Sequence, residues 1–208
     1  MTASERKKLT ENFLSSHGLP VFDNWPPLEE ENDITLKTPQ EIAERILILS
    51  YLNCTAFDPG LRNKIIGFLH EEGLWDKISL QEKLLFEKSE FNDDEIAIIA
   101  WRAESIWILL WSINKSNQLN FPPEEVNFNT IFEHLPPFLN NAEDFITSAT
   151  LRHATEILDQ ADLLFRLNWT FYQAHTNNLD IPELNQGIVF ERYFAINWVI
   201  NFRKTWDE

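Results

Sequence analysis

Cysteine and glycine are both scarce in this chain of 208 residues, which holds one cysteine and five glycines. The single cysteine, Cys54, excludes an internal disulfide and any zinc site built mainly from cysteines. No glycine follows asparagine or aspartate, so the dipeptides that most strongly indicate a β-hairpin do not occur. Alternating strand patterns do not occur either, and the sequence therefore predicts an all-α fold.

The motifs of several enzyme classes are also missing. The chain contains no Gly-x-Ser-x-Gly, no P-loop and no Gly-x-Gly-x-x-Gly. None of its five histidines has a glutamate three residues before it, as a di-iron bundle requires. Nucleophilic hydrolases, nucleoside triphosphatases and dinucleotide enzymes therefore have no support, and we expect neither a cofactor nor a metal.

Positive charge is in short supply. The chain has 17 lysines and arginines against 33 aspartates and glutamates, which gives a formal net charge of -16 and a pI near 4.7. This field repels phosphate backbones and anionic lipid, so we expect no nucleic-acid partner and no membrane partner. A protein partner with a basic surface fits the charge better.

No segment predicts insertion into a membrane. Residues 1–11 lack the apolar core of a secretory signal. Residues 96–113 are the most hydrophobic stretch, but Arg102 and Glu104 lie in its middle, and each would cost about 2.5 to 3.5 kcal/mol at the centre of a membrane span. We therefore expect a cytoplasmic protein in which this stretch is a buried helix.

Helix start and stop signals recur from end to end. Thr38 and Ser79 are each followed three residues later by glutamate, the pattern of a capping box, and Asn92 is expected to cap the central helix ahead of three acidic residues that favour its dipole. We predict a single helical domain over 1–208, with about six to eight helices around a central buried helix at about 92–115. Residues 1–37 are expected to form an N-terminal helix and an extended arm packed on the core. Long helices are predicted at about 151–175 and 187–204, and the connection 117–141 holds only short helical pieces because of its prolines, Pro122, Pro123, Pro136 and Pro137.

Several charged residues are predicted to point into the apolar core. Arg102 and Glu104 leave the central helix on nearly opposite sides, and each needs a partner because an unpaired buried charge is costly. We expect Arg102 to pair with Glu191, and Glu104 to pair with Arg192 or Arg166. The polar stripe of the 151–175 helix is either a solvated face or a face packed on the central helix. The candidate inward cluster comprises Arg102, Glu104, Asp159, Asp162, Arg166, Glu191 and Arg192. It either locks the register of the helices or lines a site.

Five groups of short segments follow one another along most of the chain. They are Glu41-Ile-Ala-Glu-Arg45, Trp101-Arg-Ala-Glu104 with Leu109-Leu-Trp111, Glu156-Ile-Leu-Asp159 with Asp162, Arg166 and Trp169, Glu191-Arg192 with Ala195-Ile-Asn-Trp198, and Trp206-Asp207. In this order they resemble a bacterial domain of unknown function family numbered 4272. The resemblance implies no particular activity or ligand. It does imply that all seven residues of the candidate cluster belong to the family's motifs.

Two functional hypotheses remain from the sequence. The favoured one is a small acidic helical protein that acts by binding another protein, without catalysis; an immunity-like role against a toxin is one specific form, drawn by analogy. The alternative is an enzyme or small-ligand binder with a charged, tryptophan-lined pocket between the central and C-terminal helices. That alternative requires a cavity beside Arg102 and Glu191, whereas the first does not.

Overall fold

The fold is all-α, as the sequence predicts. The computed structural model describes residues 1–22, 24–119, 121, 124–182 and 184–208, and over these residues it contains nine α-helices and no β-strand. The helices are α1 (Ala3–Ser16), α2 (Pro39–Phe57), α3 (Arg62–Glu71), α4 (Leu80–Glu87), α5 (Asp93–Ser112), α6 (Phe128–Phe132), α7 (Glu143–Thr147), α8 (Ala154–Thr176) and α9 (Gln186–Val199).

The predicted capping boxes begin the helices at which they were expected. Thr38 Oγ accepts a hydrogen bond from the backbone N–H three residues later at 3.2 Å, and that residue's carboxylate accepts the Thr38 N–H at 2.8 Å. Ser79 and Asn92 cap α4 and α5 in the same reciprocal way. Helix α1 is capped by Thr2 because the residue three positions after it is Glu5, which completes a fourth capping box.

Helix α5 lies at the centre of the fold, packed between α2 and α9. Its second half is hydrophobic around the whole circumference, as expected for a helix that is buried on all sides. The fully buried residues there include Ile106, Ile108, Leu109 and Leu110. The helix ends at Ser112 rather than near residue 115. Within the described part of the chain, no helix combines the length and the apolar character needed to cross a membrane.

The N-terminal region lies against α8. Helix α1 packs on α8. Arg6 contacts Asp159, and Glu11 contacts Arg166 one to two turns further along both helices, which shows that the two helices run in the same direction. The arm after α1 crosses the surface in a largely extended form. Its end is held by the Lys37 backbone N–H, which donates to the last carbonyl of α9 at 2.8 Å.

Two segments differ from the sequence prediction. Helix α9 ends at Val199, not near residue 204, because the chain turns through Asn201 in the left-handed region (φ 58°) and brings Trp206 back into the core. Helix α7 was not predicted. The connection at 117–141 does hold a short helix, α6, although Pro122 and Pro123 lie outside the described residues.

Candidate functional site

Glu104 and Arg192 form a buried ion pair between α5 and α9. Each side chain is 2% exposed, and Arg192 Nη2 and Nε lie 2.8 and 2.9 Å from Glu104 Oε2. The other carboxylate oxygen accepts the Val126 backbone N–H at 2.6 Å. Burial lowers the pKa of Arg192, and the Glu104 carboxylate opposes that shift. Of the two partners predicted for Glu104, the structure selects Arg192.

Arg102 does not pair with Glu191, so that prediction is wrong. Its ion-pair partner is Glu82 on α4, with Arg102 Nη1 and Glu82 Oε1 3.9 Å apart. Glu82 is fully buried, and its other oxygen accepts a hydrogen bond from Arg45 Nη1 at 2.5 Å. A carboxylate that already caps α4 therefore lies between two arginines from α2 and α5.

Glu191 instead accepts a hydrogen bond from Ser105 Oγ at 2.8 Å. Burial raises the pKa of Glu191 above its ordinary value, while the Ser105 hydroxyl and the nearby Arg102 guanidinium partly offset this rise. The α5–α9 interface is tight at this point, since a Cβ atom placed on Gly187 would lie 2.7 Å from the Trp101 ring. Among the described residues, this close packing gives no support to the pocket that the alternative hypothesis requires here.

The charged stripe of α8 packs under α1 and the arm rather than on the central helix. Asp162 is fully buried and binds Arg166 through two hydrogen bonds of 2.9 and 3.0 Å. Arg166 also reaches Glu11 on α1 at 3.5 Å and the Pro26 carbonyl of the arm at 3.4 Å. Asp159 accepts a hydrogen bond from Arg6 Nε at 2.8 Å.

The seven predicted residues therefore fall into two groups rather than one site. Arg102, Glu104, Glu191 and Arg192 lie at the α5–α9 interface and beside α4, whereas Asp159, Asp162 and Arg166 lie beneath α1. Most of these charges make hydrogen bonds to partners that are themselves buried. This geometry is compatible with the structural interpretation left open by the sequence, in which such pairs fix the register of packed helices.

A groove between α1 and α8 is a better candidate for a functional site than either group of charged residues. It has a volume of about 390 Å³ and is lined by Met1, Arg6, Leu9, Thr10, Phe13, Trp111, Glu156, Asp159, Gln160 and Leu163. Sequence reasoning found Asp159 but missed Arg6, Leu9 and Phe13. Leu9 and Phe13 are one helical turn apart and project away from the buried Leu14, so the 3.6-residue period could have indicated a second apolar face on α1.

The charged groups of this groove largely neutralise each other. Arg6 is 1% exposed and bonds to Asp159 through Nε, while its Nη1 and Nη2 atoms make no hydrogen bond within the described residues. Arg152 pairs with Glu156 at 3.2 Å, the i,i+4 pair expected from the sequence. Between these pairs lie Leu9, which is 59% exposed, and other apolar side chains, so the groove would take an apolar group.

The described residues offer no evident catalytic constellation. Among them, no three His, Cys, Asp or Glu side chains are grouped in a way that could hold a metal ion. Cys54 lies away from this groove, and burial raises the pKa of its thiol to about 11. The groove is therefore a largely apolar surface, and its described lining residues include no recognisable activated nucleophile.

The comparison with known families agrees with the resemblance seen in the sequence. The family model described as Domain of unknown function (DUF4272) matches residues 6–208, so the chain belongs to this family. No curated protein and no solved structure matches the chain significantly.

Proposed function

We propose that this member of the DUF4272 family acts in the cytoplasm by binding another protein through the groove between α1 and α8. One observation carries the proposal: Met1, Leu9 and Phe13 are all substantially exposed, and all three border one cavity of about 390 Å³. Contiguous exposed apolar surface beside a cavity is typical of a binding site. An immunity-like role, with a toxin as the partner, is one specific form of this proposal.

The groove is better suited to a partner's side chain than to catalysis. Its carboxylates, Asp159 and Glu156, each have an arginine partner, so neither is a free base. Its apolar residues come from both helices and from Trp111 on α5. An apolar side chain seated there would be removed from water on several sides, which provides the main favourable energy of such a contact.

The experiment selects random linear peptides displayed on phage against the purified protein and then measures the affinity of a selected synthetic peptide. The test variant is Leu9→Glu. Full burial of a leucine is worth about 1.5 to 3 kcal/mol, so covering the exposed part of Leu9 should contribute about 1 to 2 kcal/mol, or roughly five- to thirtyfold in affinity. The variant should lose at least this much, because it also places a charge at the contact.

Leu84→Glu is the matched control. Leu84 is also a helical leucine, with 62% of its surface exposed, and it lies on α4, outside the groove. The Leu84→Glu variant should bind the peptide as tightly as the unaltered protein does. Both variants should have the melting temperature of the unaltered protein. Equal affinities for the two variants, or a selection that yields no peptide dependent on Leu9, would overturn the proposal.

A further inference from the structure

The arm carries a dense acidic segment at the end of the groove where α1 and α8 begin. We call residues 29–33 the acidic arm; its carboxylates belong to Glu29, Glu30, Glu31 and Asp33. Glu30 accepts the Ala3 backbone N–H at 2.9 Å, and Glu31 accepts the Thr155 hydroxyl at 2.9 Å. These two carboxylates tie the arm to the first turns of both helices, where negative charge is favoured by the helix dipoles.

The other two carboxylates of the acidic arm have no such structural role. Glu29 and Asp33 are exposed, and neither makes a side-chain hydrogen bond or an ion pair within the described part of the chain. Both border a second cavity of about 320 Å³, whose lining also includes Phe202 and one cation, Lys204. The lining of this second cavity therefore carries more negative than positive charge, and it belongs to the same short arm whose Glu30 and Glu31 reach the beginnings of α1 and α8.

From this arrangement we infer that the groove's occupant is a basic segment of a different protein. The inference rests on the proposed function and specifies its partner: a large apolar side chain enters the groove, and a neighbouring lysine or arginine meets Glu29 and Asp33. The groove's own charges are paired, so they supply no preference for a basic partner. The acidic arm supplies that preference, because its two outward carboxylates attract cations without first breaking an internal contact.

The charge of the chain also separates this occupant from two others. A second copy would bring a further net charge of -16 to the interface, and nucleic acid would bring its phosphates. Both would be repelled at long range, whereas a basic segment would be attracted. The same field would accelerate its association, and the rate should fall as salt is added.

The test uses a synthetic peptide selected on the groove, with its lysine or arginine either retained or replaced by norleucine. On the protein side, Glu29→Lys and Asp33→Lys reverse charges that support no contact of the fold. The matched control is Glu90→Lys, which makes the same charge change at an exposed residue between α4 and α5. All binding is measured at low and at high salt.

We expect Glu29→Lys and Asp33→Lys each to weaken binding by about two- to tenfold at low salt, since surface ion pairs contribute modestly and reversal both removes attraction and adds repulsion. Glu90→Lys should stay within about twofold of the unaltered protein, as expected for a distant, screened charge. The unaltered protein should bind the norleucine peptide about two- to tenfold more weakly than the basic peptide. The unaltered protein, Glu29→Lys and Asp33→Lys should then bind the norleucine peptide with similar affinities.

Three results would overturn the inference. Equal weakening by all three lysine variants would show that only the overall charge matters. Selected peptides without basic residues that still depend on Leu9 would leave the proposed function intact but refute the basic partner. A homodimer in light scattering that Leu9→Glu dissociates would show that a second copy occupies the groove.

Discussion

The buried pair between Glu104 and Arg192 should be strongly coupled. Both side chains are 2% exposed; Arg192 Nε donates a hydrogen bond of 2.9 Å to Glu104 Oε2, and Arg192 Nη2 lies 2.8 Å from the same oxygen. We expect Glu104→Gln or Arg192→Met alone to lower the free energy of unfolding by about 3 to 5 kcal/mol, because each removes this ion-pair contact from a charge that stays buried. The double variant should cost much less than the sum of the two.

A double-mutant cycle in urea measures this coupling. Glutamine at position 104 can still accept the Val126 N–H, so the cycle isolates the contact with Arg192. We expect an interaction energy of about 2 to 3 kcal/mol, at the upper end of what contacting residues show. The slope of the unfolding free energy against urea concentration should be the same for all variants, which would indicate that each exposes the same surface on unfolding.

The pair of Arg152 and Glu156 provides the reference. Glu156 is 52% exposed and Arg152 is 13% exposed, and Arg152 Nη1, from the residue just before the N-cap of α8, lies 3.2 Å from Glu156 Oε1. The same cycle there should give less than about 1 kcal/mol, as ion pairs with a solvent-exposed partner usually do. A coupling for Glu104 and Arg192 no larger than this value would refute the interpretation of the buried charges as a register lock.

Two further predictions concern titration and reactivity. Because burial raises the pKa of Glu191 above the ordinary glutamate value of about 4.5, its contribution to stability is fully present below about pH 4.5 and is lost as the pH rises through the folded-state pKa. Glu191→Gln should therefore raise the melting temperature at pH 7 and leave it nearly unchanged at pH 4; a drop at pH 7 would contradict this. Since the pKa of Cys54 is raised to about 11, iodoacetamide should modify it far more slowly in the native state at pH 7.5 than in urea, and equal rates would show that the thiol is accessible and ionised.

Local signals in the sequence predicted most helix starts correctly. A capping box joins two residues only three positions apart, so Thr38, Ser79 and Asn92 could be recognised without knowledge of the fold. Helix ends were less well predicted. The end of α9 depends on a left-handed turn at Asn201 and on the return of Trp206 into the core, and neither shows in helical periodicity.

Charge partners proved harder to predict because they depend on tertiary packing. The sequence indicated that Arg102 needs a partner, but Glu82 lies on a short helix whose position against α5 no local pattern specifies. Asp159 and Arg6 are separated by 153 residues, and their contact forms only when α1 docks on α8. The groove went unpredicted for the same reason, since two helix faces and Trp111 must meet to form it.

We propose that the α1–α8 groove binds the partner, whereas the charged residues of the core hold the helices in place. The affinity of one selected peptide for two variants tests this claim most directly. Leu9→Glu should lose at least about fivefold in affinity at an unchanged melting temperature, as expected when an exposed apolar contact is removed. Glu191→Gln should bind as the unaltered protein does. Loss of binding in Glu191→Gln with retention in Leu9→Glu would contradict the account.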